Sequence, residues 1–146
     1  MEIRGIQMKN GTVIKNISVT KDADIVKAME ITERIASGMG FSSRDCLFLR
    51  LATEEACTNA YEYCQKTNQL PFKVFWKGER QHLIIVVKQR GKKFAIKRED
   101  GVNRGSRGRG LQLIAHIVDH VYVKQRGNYV LFYMCKCKKN ERWLGE

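Results

Sequence analysis

Hydrophobic and polar positions alternate between two periods along this chain, and the changes of period mark its elements. Residues 2–9 and 12–19 read as two strands around Lys9-Asn10-Gly11, a turn that Asn-Gly favours. From Asp22 to Gly38 the period lengthens. Ile25, Val26, Met29, Ile31, Ile35 and Met39 recur at amphipathic-helix spacing, and Gly38 and Gly40 supply a stop. Ser42 and Asp45 form a capping arrangement for a second helix, from about Ser43 to Gln65. Pro71 opens a strand, PFKVFWK, which Gly78-Glu79 should turn into HLIIVVKQ, an apolar run suited to burial. Residues 90–110 carry charge and glycine without a period, so they read as a long loop. A helix LQLIAHIVDHV is then expected from near Gly108, followed by a hairpin of Val121–Lys124 and Tyr129–Lys136 around Gly127-Asn128. Strands and helices come in blocks. That order predicts an α+β fold: a two-layer α/β sandwich with a mixed, mostly antiparallel sheet and helices on one face.

One stripe breaks the pattern. On the second helix Phe48, Leu51, Ala52, Glu55, Asn59 and Glu62 share a narrow sector. Its first half is apolar and is expected to face the core. Its second half offers two carboxylates and an amide. Either the helix leaves the core at Glu55, or the polar half lines a cavity. In the second case an amide oxygen beside nucleotide phosphates suits Mg²⁺, and a neighbouring carboxylate can accept a proton from a hydroxyl. The complementary half of such a site is a backbone cradle for phosphate. GSRGRGLQLI, from Gly105 to Ile114, has glycines at 105, 108 and 110, arginines at 107 and 109, and a helix start whose free N–H groups attract anions. It is not a P-loop, because no Gly-Lys-Ser/Thr follows the glycines.

Composition narrows the classes. The chain has 146 residues and one proline, with no repeat, which predicts one domain over residues 1–137 and a loose tail over 138–146. The longest apolar run, Leu83 to Val87, is far short of the roughly 20 residues that span a bilayer, so a soluble protein is expected. The five cysteines are an odd count without a Cys-x-x-Cys pair, and Cys46, Cys57 and Cys64, on one side of the second helix, read as small buried thiols in a reducing cytoplasm. Cys135 and Cys137 should share one face of a strand, and His116 and His120 are expected to flank the end of the last helix rather than form half a metal site. A net charge of +12 leaves room for nucleic acid, a nucleotide or an acidic protein as partner.

Glu55-Ala-Cys-Thr-Asn59, followed about 50 residues later by Gly108-Arg-Gly110-Leu-Gln-Leu-Ile, resembles the Bergerat-fold, or histidine-kinase-like, ATPases. The small size resembles their anti-sigma-factor serine kinases. The resemblance covers the chain to about residue 137. It implies Glu55 as the base toward a serine hydroxyl and Asn59 as the Mg²⁺ ligand. It implies ATP held by Gln89, Gly91, Gly105, Arg107, Gly108, Arg109, Gly110 and Leu111. It further implies a cytoplasmic homodimer that sequesters a sigma factor and phosphorylates an antagonist protein, with neither membrane nor nucleic acid as partner. Two alternatives stand beside it: a relative that binds a sigma factor or antagonist without phosphoryl transfer, and a basic nucleic-acid-binding protein. The chain departs from the family at Gln89, where an aspartate usually meets the adenine amino group, and at Lys93, where a glycine is usual. Glutamine still accepts a hydrogen bond, but loss of the charge-assisted form weakens binding by about 1–2 kcal/mol. The lid from Phe94 to Gly105 is short, and Asn128-Tyr129 stands where the family often has threonine.

Overall fold

The computed structural model describes residues 6–9, 11–92 and 106–138. Their order is β1 (Gln7–Lys9), β2 (Thr12–Val19), α1 (Ala23–Met39), α2 (Ser43–Lys66), β3 (Phe72–Glu79), β4 (His82–Arg90), α3 (Ser106–Ile117), β5 (His120–Arg126) and β6 (Tyr129–Cys137). Six strands form one sheet in the order β1-β2-β3-β4-β6-β5. Every described pairing is antiparallel. The expected α+β sandwich is therefore present, with its sheet at the antiparallel end of that expectation. Residues 93–105 and 139–146, which hold the lid, Lys93 and nearly all of the tail, lie outside the described residues, as does Asn10 of the first turn.

The helix boundaries follow from local chemistry. Asp24 Oδ2 accepts from Thr20 N at 2.9 Å and Lys21 N at 3.3 Å, which ties the end of β2 to the first turn of α1. Gly40 ends α1 in the left-handed region, with its N–H turned back onto Ser37 and Ala36 carbonyls. Ser42 then caps α2 by accepting from Asp45 N at 3.0 Å.

One sheet face meets the helices. Val13, Val19, Phe72, Val74, Trp76, Leu83, Ile85, Val87, Phe132 and Met134 are buried along it. Against them α2 turns Cys46, Leu49, Ala52, Ala56, Cys57, Ala60 and Cys64. Those small side chains let the helix axis come close to the sheet. All five cysteines are free, and burial pushes the Cys57 thiol up to about 12 and the Cys64 thiol up to about 11. A polar chain crosses this apolar layer. Trp76 Nε1 donates to Thr32 Oγ1 at 2.8 Å, the Thr32 and Thr53 hydroxyls lie 2.7 Å apart, and Thr53 donates to Leu49 O at 2.9 Å. Because Thr53 spends its proton on Leu49, Thr32 must donate to Thr53. The chain runs one way from sheet to α1 to α2.

Three expectations change. Gly78-Glu79 does not turn the chain: both residues pair inside the β3–β4 ladder, and Arg80 at φ 55° makes the turn. Gly78 is needed for room, since a Cβ there would lie 2.7 Å from the Met39 sulfur. Phe48 does not face the core. It is 40% exposed, with the Arg44 guanidinium 5.5 Å from its ring centre. The apolar run of β4 is buried on one side only, with Ile84 and Val86 half-buried on a sheet face that no described element covers.

Candidate functional site

The buried sector of α2 runs beside the stripe that carries Glu55 and Asn59, not along it. Both side chains are therefore half-buried at the margin of the core, while Glu62, two turns further on from Glu55, is exposed. Desolvation by burial, then the charges of Glu54 and Glu62, push the Glu55 carboxyl above the ordinary glutamate range. A carboxylate in that state is a stronger proton acceptor than an exposed one.

α3 brings the second half of the site to these residues. A Cβ built on Gly110 would run into Glu55 Oε1 and would lie 3.7 Å from Asn59 Nδ2. Glycine at 110 thus lets the backbone of α3 close onto the carboxylate and the amide together. The helix expected from near Gly108 begins slightly earlier, at Ser106, so Gly108 and Gly110 lie within the first turns of α3. The N–H groups without an intrahelical partner are then those of residues 106–109, so Arg107, Gly108 and Arg109 fall where a helix start attracts anions. Gly105 lies outside the described residues. Leu111 is half-buried and packs on the core beneath this turn.

Further along α2 the neighbouring element is β4. Gln89 is 6% exposed on the helix-facing side and pairs with Val130 of β6. Gly91 follows at φ 143°, a backbone conformation that a side chain rarely adopts. A Cβ at Gly91 would lie 3.0 Å from the Tyr63 hydroxyl. Its N–H donates to Asn128 O at 2.9 Å, and its carbonyl accepts from Gln125 Nε2 at 3.1 Å. So α2 carries, in sequence, Glu55 and Asn59 against α3 and Tyr63 against the end of β4. Tyr63 was missed from the sequence. Its only signal there is its place one turn beyond Asn59.

Glu55, Asn59 and Gly110 are thus brought together, and Gln89 and Gly91 lie at the end of β4, where Gly91 meets Tyr63 of α2. His116 is tied back to Gln112 O at 2.9 Å in the last turn of α3, and His120 opens β5, so the two flank the helix end. Among the described residues no group of three His, Cys, Asp or Glu side chains could hold a metal. No helix of the described residues is long and apolar enough to cross a membrane.

Residues 18–134, most of the chain, match the histidine kinase-like ATPase domain family. The chain belongs to that family. Among solved structures, this ATPase domain is similar in fold to a chain of the SiaB-SiaC complex from Pseudomonas aeruginosa, with a TM-score of 0.63 over 89% of each chain at 12% identity. No curated protein is significantly similar to it in sequence.

Proposed function

We propose that this ATPase domain is an ATP-dependent serine protein kinase and anti-sigma factor, which sequesters a sigma factor and phosphorylates a serine on an antagonist protein. The observation that carries the reading is the bare Cα of Gly110 closing on Glu55 and Asn59. It brings a carboxylate, a carboxamide and a helix start side by side. Bound ATP would supply the phosphoryl group and Mg²⁺ would neutralise its charge, with the Asn59 carboxamide as the protein's ligand to the ion. The rest falls to the chain's own groups. Glu55, with its raised proton affinity, would accept the proton of a serine hydroxyl. The N–H groups opening α3 would hold the phosphates in place. Gln89 and Gly91 would receive the adenine, Gln89 as an uncharged acceptor. Leu47 and Phe48 expose 59% and 40% of their surface near the start of α2, apolar area suited to a protein partner in a cytoplasmic assembly. The fold neighbour comes from a two-protein complex, which is in keeping with that reading.

The test is thermal unfolding with and without Mg·ATP. At 100 times the dissociation constant, binding adds about 2.7 kcal/mol, a rise of roughly 5–10 °C for a domain of this size. Asn59→Ala should lose most of that rise. Equal shifts for the two proteins would sink the assignment, and a transfer assay with radiolabelled ATP and a serine-bearing partner separates a kinase from a relative that only binds.

A further inference from the structure

The sheet face turned away from the helices carries a second site. At the end of the sheet where β4 meets β6, a pocket of about 420 Å³ opens on that face. Lys73 of β3 and Lys88 of β4 stand directly opposite one another in the ladder. Arg90, two residues along β4 and so on the same face, pairs with Tyr129 of β6. All four line the pocket.

Like charges placed directly across a ladder repel, and this pair is joined by a third cation. The usual relief is absent. No aspartate or glutamate lines the pocket, and the described ion pairs, Arg50 with Glu33 and Lys77 with Glu79, involve none of the three. Instead the cations gather on a phenol. Lys88 Nζ lies 4.5 Å and Arg90 Cζ 5.9 Å from the centre of the Tyr129 ring. A hydrogen bond from Arg90, and then the charges of Arg90, Lys88 and Lys73, hold the Tyr129 hydroxyl below its ordinary value. The hydroxyl thus sits in the positive field of all three cations. The far wall is apolar, formed by Leu70, Pro71 and Phe75.

We propose that this pocket binds a phosphate monoester carried on an apolar body. The dianion would sit among Lys73, Lys88 and Arg90, with the Tyr129 hydroxyl as a further donor, and the attached group would lie on Leu70, Pro71 and Phe75. A guanidinium and two ammonium groups offer one cationic donor group for each of the three terminal oxygens of such an ion and more than offset its two charges. A strand of nucleic acid fits less well. The exposed Tyr122 and half-buried Tyr133 rings stack on each other, with centres 4.6 Å apart and planes 11° from parallel, and Lys124 Nζ lies 5.7 Å and 5.5 Å from their centres, so they offer no open row of faces to successive bases. The site lies on the face opposite Glu55 and Asn59 and does not depend on what those residues do.

The test is calorimetric titration at low ionic strength with three probes: inorganic phosphate, phenyl phosphate, and a short peptide with phosphoserine beside leucine. Tyr129 ring shifts in nuclear magnetic resonance spectra locate the binding. Phenyl phosphate or the peptide should bind at least about fivefold more tightly than inorganic phosphate, and should move the Tyr129 signals on the same isotherm. The tighter of the two names the source, a small organic phosphate or a phosphorylated side chain. Lys73→Gln with Lys88→Gln should weaken binding about tenfold or more, while unfolding at the same temperature or higher, because it removes a repulsion. Lys27→Gln with Lys66→Gln removes the same charge from exposed helix positions and should change affinity less than about twofold. Equal losses in the two double variants, or binding that leaves Tyr129 unmoved, would overturn the assignment. Inorganic phosphate binding as tightly as the other probes would overturn its apolar part.

Discussion

Replacing Gly110 with alanine should separate folding from chemistry. The new methyl group would enter the space held by Glu55 Oε1, so that oxygen must withdraw by roughly 1 Å to reach ordinary contact distance. Glu55 is a half-buried, flexible side chain, and turning it off its preferred rotamer costs about 0.5–1.5 kcal/mol. Position 110 lies inside α3, where alanine is favoured over glycine by about 1 kcal/mol. The two effects nearly cancel, so stability should change by less than about 1 kcal/mol in urea unfolding. Function should respond differently. A displacement of about 1 Å in a positioned proton acceptor can cost 10²-fold in rate, equivalent to about 2.7 kcal/mol of barrier. Single-turnover phosphoryl transfer to a serine-bearing partner, with Mg·ATP affinity measured in parallel, reads this effect. A variant that transfers phosphate at the wild-type rate would refute the role given to Glu55. One that loses more than about 3 kcal/mol of stability would show that the α2–α3 contact is a rigid packing joint and not a cleft.

Three further outcomes follow from the geometry. Thr32→Val strands the buried Trp76 N–H and should cost about 2–3 kcal/mol in urea unfolding, whereas Thr32→Ser should recover most of it; a valine variant as stable as wild type would contradict the donor chain. Because the folded-state pKa of Glu55 is raised, the folded protein holds that proton more tightly than the unfolded chain. The contribution is full below the ordinary glutamate value of about 4.3 and is lost as pH rises through the folded value. Wild type minus Glu55→Gln should therefore show stability falling with rising pH across that window, and a flat or rising difference would contradict the burial. Gln89→Asp places a carboxylate at a buried position, so the ligand-free protein should melt lower, while the shift on adding Mg·ATP should grow by the equivalent of about 1–2 kcal/mol. An unchanged shift would remove Gln89 from the adenine end.

The elements were legible where the chain itself sets their limits. Ser42, Asp45 and Gly40 mark the ends of α1 and α2 through their own backbone and side-chain bonds, and the sequence placed those ends within a residue or two. It erred where a residue serves a distant one. Gly78 looks like a turn residue, but it makes room for Met39 of α1, which no local pattern reveals. Phe48 looked like core because helical arithmetic fixes which residues share a sector but not which sector meets the sheet. The sector that does so is filled with alanine and cysteine, whose hydrophobic signal is weak beside that of phenylalanine. The site was half legible in the same sense. Glu55, Asn59 and the glycines were named from motifs, whereas the contact of Gly110 with both side chains, and of Tyr63 with Gly91, belongs to helix packing. The opposition of Lys73 and Lys88 depends on strand register, which turn placement controls, and the sequence had put that turn two residues early.

The one-way run of protons from Trp76 through Thr32 and Thr53 to Leu49 also restricts how descendants of this protein can change. Loss of the indole leaves Thr32 with only a spare lone pair, a small matter for hydrogen bonding. Loss of the Thr53 hydroxyl leaves Thr32 free to swing toward a carbonyl of its own helix. Loss of Thr32 first leaves a buried N–H with nowhere to turn. Substitution histories should therefore dismantle this chain from its ends inward, and lineages lacking Thr32 should already lack the tryptophan.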